Sequence, residues 1–214
     1  MNRRATIVDY GSGNVLSVER ALEHCGAVVA RASRADAVAA AERLVLPGVG
    51  AFGACMHALT ERRLLAAIRD FAACGRPLLG ICVGMQILFE QSDEFGRNAG
   101  IGLVPGRVER VPPTGADGTP HRVPHIGWAP LALPAGRRDW QHTILADIRP
   151  GDSAYFVHSY TANPADPRQR LANVDYHGRT ISAAVARDNV SGTQFHPEKS
   201  GPVGLKIVAR FLQS

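Results

Sequence analysis

The chain has 214 residues, 45% of them hydrophobic and 20% charged, which suits one soluble globular domain over residues 1–214 with a two-sided core. Its longest apolar run, residues 77–89, is too short for a bilayer, and Asp9 comes too early for a secretory signal, so a cytoplasmic protein without a membrane anchor is expected. The net charge of +5 rests on short doublets (Arg3-Arg4, Arg62-Arg63, Arg137-Arg138) with no aromatic-interleaved stripe, which argues against nucleic acid and suits anionic small molecules or an acidic protein partner.

The first half alternates strand and helix signals. Thr6 to Tyr10 predicts a strand, and Gly11-Ser12-Gly13-Asn14 turns the chain into a helix from Val15 to Cys25. Ala27 to Arg31 is a second strand, followed by a short Ala-rich helix. Arg43 to Leu46 is a third strand, ending at Pro47-Gly48-Val49-Gly50, and a long helix is predicted over 54–73. Pro77 to Ile81 is a fourth strand, and an amphipathic helix is predicted over 83–90. Repeated units of this kind imply an α/β fold: a mostly parallel open sheet flanked by helices, with a flavodoxin-like core. The second half is strand-rich. Strands are predicted over 155–161, 171–176, 180–187 and 192–195, a surface loop over 112–120, and a closing helix over 201–212.

The segment Gly80-Ile81-Cys82-Val83-Gly84 falls at the junction between the fourth strand and its helix. Glycines two residues either side permit a tight turn that lifts the central side chain out of the sheet, the cysteine form of a nucleophile elbow. Backbone N–H groups at a helix start favour a thiolate there. The turns at 11–14 and 47–50 also fall at strand ends, where open parallel sheets bind ligands, so three strand ends point at one site. Cys25, Cys55 and Cys74 form no Cys-x-x-Cys pair with it or with each other, so neither a disulfide framework nor a metal site is expected. They read as small, mostly buried residues.

A second motif, Gln194-Phe195-His196-Pro197-Glu198-Lys199-Ser200, joins a strand to the last helix. In extended chain His196 and Glu198 project to the same side. A glutamate bonded to one imidazole nitrogen fixes the tautomer and leaves the other for a nucleophile, which makes Cys82, His196 and Glu198 a candidate triad. The other histidines lack metal-ligand spacing. His24, His57, His121, His142 and His177 read as surface or cap residues, and His125 and His158 as groups that shape a site or an interface rather than act as acid or base.

The elbow through Gln86, together with Phe195-His196-Pro197-Glu198, resembles the class I (triad) glutamine amidotransferases. Segments 9–14, 47–52, 124–128 and 155–160 narrow the resemblance to the glutaminase subunits of imidazole glycerol phosphate synthases, from residue 7 to the C-terminus. The resemblance implies hydrolysis of glutamine to glutamate and ammonia, without a cofactor. It also implies a heterodimer in which the ammonia passes to a (β/α)8 cyclase subunit that makes imidazole glycerol phosphate and an aminoimidazole carboxamide ribotide, in histidine biosynthesis. Backbone N–H groups of Val83 and of the Val49-Gly50 turn are candidates for an oxyanion hole. Gln86, four residues after Cys82, is a candidate to hold glutamine. Glu94 reads either as an exposed acid or, as the resemblance favours, as a partner for the substrate's α-amino group, with the Ser159-Tyr160 backbone at the carboxylate end. Trp128 suits a core anchor or an aromatic contact with the cyclase; the resemblance favours the contact, with Asn14 and Lys199 beside the ammonia exit. Ala129 stands where the resemblance implies Asn, a departure that bears on partner docking and not on catalysis. The rival readings are another amidotransferase or a free-standing cysteine hydrolase on the same scaffold, and a binding module that lost the chemistry.

Overall fold

In the computed structural model, which describes residues 3–214, the apolar runs of the first half pair into the centre of a seven-stranded sheet. The elements are β1 (Arg3–Val8), α1 (Val15–His24), β2 (Ala27–Ala32), α2 (Ala35–Ala39), β3 (Leu44–Gly48), α3 (Phe52–Glu61), α4 (Leu65–Ala73), β4 (Leu78–Cys82), α5 (Val83–Gln86), β5 (Phe89–Ser92), β6 (Asn98–Ala99), β7 (Val104–Arg110), β8 (His125–Pro130), β9 (Ser153–His158), β10 (Tyr160–Pro164), β11 (Arg170–Tyr176), β12 (Arg179–Arg187), β13 (Val190–Thr193) and α6 (Gly201–Phe211). The sheet order is β11-β12-β13-β4-β3-β1-β2. The five strands from β13 to β2 run parallel, and β12 and β11 extend them antiparallel. β3 and β4 are buried at every position, as central strands covered on both faces must be. A second sheet, β10-β7-β5-β6, and a β8–β9 ribbon make up the strand-rich half. The predicted α/β architecture is present. No helix among the described residues is long and apolar enough to cross a membrane.

Three predicted elements differ. The helix expected over 54–73 is two helices, because Arg63 adopts the left-handed conformation (φ 55°). The Leu64 N–H then bonds to Leu59 O and the Arg63 N–H to Thr60 O, a Schellman stop that buries Leu64. The helix expected over 83–90 is a single turn. Residues 83–89 are all buried, so the run has no solvated face. The carbonyls of Ile87, Leu88 and Phe89 accept N–H groups from residues 101–104 instead of continuing the helix. The strand expected over 155–161 breaks at Ser159: β9 pairs with β8, and β10 pairs with β7. Cys74, expected to be mostly buried, is exposed.

The junction after β4 is strained as an elbow requires. Cys82 has φ 56° and ψ −114°, a conformation that non-glycine residues rarely adopt and that costs about 1–3 kcal/mol. The one-turn α5 lies directly on the sheet. A Cβ at Gly84 would sit 1.8 Å from the Leu46 carbonyl oxygen, and one at Gly80 would sit 2.7 Å from the Gly84 oxygen. Gly84→Ala is therefore expected to destabilise the fold by about 3 kcal/mol in urea unfolding, with loss of the elbow. An unchanged unfolding midpoint would contradict this packing.

Candidate active site

The ends of β3 and β4 and the β9–β10 break surround a cavity of about 300 Å³ lined by Val49, Gly50, Cys82, Val83, Gln86, Glu94, Ser159, Tyr160 and His196, with Pro124, Val157 and His158 completing the wall. A larger cavity of about 540 Å³ lies at the opposite ends of β4 and β13, against Pro77 and Asn189, and gathers none of the predicted residues. The chemistry therefore belongs to the smaller one.

Cys82 is buried at the floor, beneath the Val157 carbonyl. His196 faces it from the chain that leaves β13. The segment 197–199 is a 3-10 turn rather than the extended chain expected, yet His196 Nδ1 and Glu198 Oε1 are 2.7 Å apart. Pro197 suits that turn because its first N–H needs no partner. Two bonds hold the histidine backbone and a third ties them together: its N–H donates to Tyr155 O at 3.0 Å, the Ser200 hydroxyl donates to its carbonyl at 2.7 Å, and the same hydroxyl accepts the Tyr155 N–H at 2.9 Å. Burial alone would lower the pKa of His196. The Cys82 sulfur and the Glu198 carboxylate outweigh that and push it up to about 10. Three predicted groups are thus together, with the imidazole held as a cation beside the sulfur.

The turn after β3 sits on a buried polar support. Tyr10 donates its hydroxyl to Pro47 O at 2.7 Å. Burial, reinforced by Cys55, raises its phenol well above the ordinary value, so it stays a neutral donor. The Val49 carbonyl accepts from the Ser12 hydroxyl at 2.9 Å and from the Cys55 thiol at 3.5 Å. In a trans peptide the N–H points opposite the carbonyl, so the Gly50 N–H faces away from Ser12 and Cys55. Val83 opens α5, where its N–H has no partner within the helix. The turn at 11–14 thus meets the site from behind and does not line the cavity.

Gln86 is buried, not on a helix surface. Its Nε2 donates to Tyr160 O at 3.1 Å and to Gln194 Oε1 at 2.9 Å. Glu94 is half-buried at the rim, not a free surface acid, and one carboxylate oxygen accepts the Phe52 N–H at 2.6 Å, at the start of α3. His158 donates from Nδ1 to Tyr160 O at 2.8 Å, since a carbonyl only accepts, and its Nε2 meets His125 Nδ1 at 3.1 Å. Burial first, then neighbouring histidines, push both rings down to about 4, so they are neutral at pH 7. His121, expected at the surface, is half-buried: its ring stacks on His177 and tilts against Tyr176.

Of the three residues assigned to a partner surface, Trp128 is 58% exposed on β8, so it is not a core anchor; it meets Tyr155 edge to face. Lys199 is exposed, and Asn14 stands at the N-terminal boundary of α1 with no side-chain cap bond. None of the three lines the cavity. Gln194 and Ser200 stand in the motif of His196, and the sequence assigns neither a role. Their signal was their place in one motif with His196; their partners come from β9 and α5.

The family model described as glutamine amidotransferase class-I matches residues 6–214. The chain is 49% identical over 208 residues to "imidazole glycerol phosphate synthase subunit HisH 1" of Legionella pneumophila (strain Lens), covering 97% of this chain and 98% of that one. It is 44% identical over 218 residues to the HisH subunit of Rhodospirillum rubrum, covering 98% of each. Among solved structures, a glutamine amidotransferase superposes with TM-score 0.71 at 17% identity, over 98% of this chain and 99% of that one. PurLQS from Thermotoga maritima superposes with TM-score 0.70 at 21% identity, over 100% and 98%. At such identities the structures speak for the fold, and the near full-length relatives for the family. The chain belongs to the class-I glutamine amidotransferases, among the HisH subunits of imidazole glycerol phosphate synthase.

Proposed function

We propose that this chain hydrolyses glutamine to glutamate and ammonia in the cytoplasm, through Cys82, His196 and Glu198, and passes the ammonia to a separate (β/α)8 cyclase subunit in histidine biosynthesis. The observation that carries the chemistry is the strained Cys82 elbow facing an imidazole whose far nitrogen is bonded to a buried carboxylate. The Cys82 thiolate attacks the amide carbon, and the tetrahedral oxyanion takes hydrogen bonds from Val83 N–H and from the Val49-Gly50 turn. His196 gives its proton to the departing ammonia. The thioester carbon is then attacked by water, which yields its proton to the now neutral imidazole, and the sulfur leaves as thiolate. Glu198 orients the ring and offsets its charge. Gln86, Glu94 and the Ser159-Tyr160 backbone hold the substrate amino acid. All of this needs no cofactor and no metal, and the chain acts as a single domain over residues 1–214.

The subunit names of the relatives support a partner. Ile126 and Trp128 on β8, 59% and 58% exposed, offer that partner apolar anchors, and Asn14 and Lys199 flank the ammonia exit. Ala129 is buried beside Trp128, on the inner face of β8, and leaves the outer face to Ile126, Trp128 and Pro130.

Glutamate release from glutamine, measured for the chain alone and then with a cyclase subunit and its ribonucleotide substrate, tests the reading. Strong stimulation that vanishes in Cys82→Ala is expected. Full activity alone, with no response to the cyclase, would point to a free-standing hydrolase. Glu198→Ala is expected to lose less activity than His196→Ala, because the carboxylate acts through the ring. A pH dependence of stability follows as well. The His196 pKa is about 10 in the folded chain against an ordinary 6.5, so its contribution to stability is complete below about pH 6.5 and is lost as pH rises towards 10. Unfolding free energy is expected to fall over that window, and in Glu198→Gln the fall is expected at lower pH; identical profiles would contradict the assigned pairing.

A further inference from the structure

Gln194 is fully buried on the chain between β13 and His196, where a polar amide needs partners for both ends. Its backbone N–H is tied to Ala183 O at 2.8 Å, which fixes where the side chain starts. Its Nε2 lies 3.9 Å from Cys82 Sγ, and its Oε1 lies 2.9 Å from Gln86 Nε2. The neighbours dictate which end is which. The Gln86 group that meets the Tyr160 carbonyl must be the donor Nε2, because a carbonyl only accepts. The same Nε2 meets Gln194, so Gln194 presents its oxygen there and turns its N–H groups towards the sulfur. The Tyr160 carbonyl is fixed in turn by His158 Nδ1. Gln86 Nε2 thus donates both ways, to the Tyr160 wall and to Gln194, and Gln194 donates in turn to the nucleophile.

We propose that Gln194 is a further catalytic residue, whose amide N–H donates to the Cys82 thiolate and whose carbonyl ties that sulfur, through Gln86, to the Tyr160 wall of the substrate cavity. The inference rests on Cys82 being the glutaminase nucleophile. The donor stabilises the sulfur where it carries charge: before attack on the amide carbon, and again when it leaves the thioester. In between, the sulfur is bonded to carbon and neutral, so the bond favours both charged ends of the cycle. The same buried contact sets the direction from which the sulfur approaches. The other ionisable groups around the sulfur are His196 with Glu198 after β13, His158 on β9, Glu94 after β5 and Tyr10 after β1. None of them is altered by a change at position 194.

The test is the pH dependence of Cys82 alkylation by iodoacetamide in the full chain. It is read by peptide mass spectrometry, because Cys74 is exposed and labels too. Gln194→Met keeps the shape and removes both ends of the amide. Gln194→Leu keeps most of the side-chain volume, removes both ends of the amide and adds no charge, so it carries the test if the Met variant does not fold. Thermal unfolding establishes that each variant is folded. Alkylation of Cys82 at pH 7 is expected to fall about tenfold in Gln194→Met, with its midpoint about one pH unit higher, and by a similar factor in Gln194→Leu. A structural role alone would lower the melting temperature and leave that midpoint in place. Folded variants that keep the original midpoint would overturn the proposal and leave the glutaminase reading standing. A wild-type chain whose Cys82 resists iodoacetamide while turning over glutamine would overturn that reading first.

Discussion

The site depends on one constraint: the chain must turn from β4 into α5 at Cys82 with a positive φ, directly against the backbone of β3. Gly84 and Gly80 make this approach sterically open, and the resulting turn places the sulfur beyond the strand end instead of between sheet and helix. The strain is held by burial. Residues 83–89 are enclosed, and the carbonyls of Ile87, Leu88 and Phe89 are bound by the loop at 101–104. A free peptide would relax the turn; this one is clamped by the core on one side and by the second sheet on the other.

Around that elbow the protein separates two kinds of histidine. His196 lies between a sulfur and a carboxylate and is held as a cation, with a pKa pushed up to about 10. His158 and His125, on the opposite wall, are pushed down to about 4 by burial and serve as neutral hydrogen-bonding groups. The difference comes from partners, not from depth, since burial acts downward on all three. One ring has a negative charge to answer; the other two have a carbonyl and each other. At pH 7 the ring that faces Cys82 is thereby the charged one of the three, while the wall that carries Tyr160 stays fixed in one tautomer.

How much of this was legible in the sequence follows from where each signal is stored. The elbow and the His-Pro-Glu motif are local, and both were readable, because glycine spacing and a strand end suffice to announce them. The parallel sheet was readable from the alternation of periods. The breaks were not. Arg63 stops a helix through a left-handed backbone that a basic residue does not advertise, and the helix predicted after Cys82 stops because distant N–H groups claim its carbonyls. The pairing of His196 with Glu198 was anticipated for the wrong local reason, since the motif folds as a 3-10 turn and not as extended chain. Gln194 and Ser200 were invisible as functional groups, because their partners lie 112 and 45 residues away along the chain.

The most direct measurement of the central claim is trapping with a diazoketone analogue of glutamine, applied to the chain in complex with a cyclase subunit and read by intact mass and peptide mapping. One adduct per chain is expected, on Cys82, with protection by glutamine. Glutamine turnover with Cys82 unmodified by the analogue, or an adduct on Cys25, Cys55 or Cys74 in its place, would contradict it.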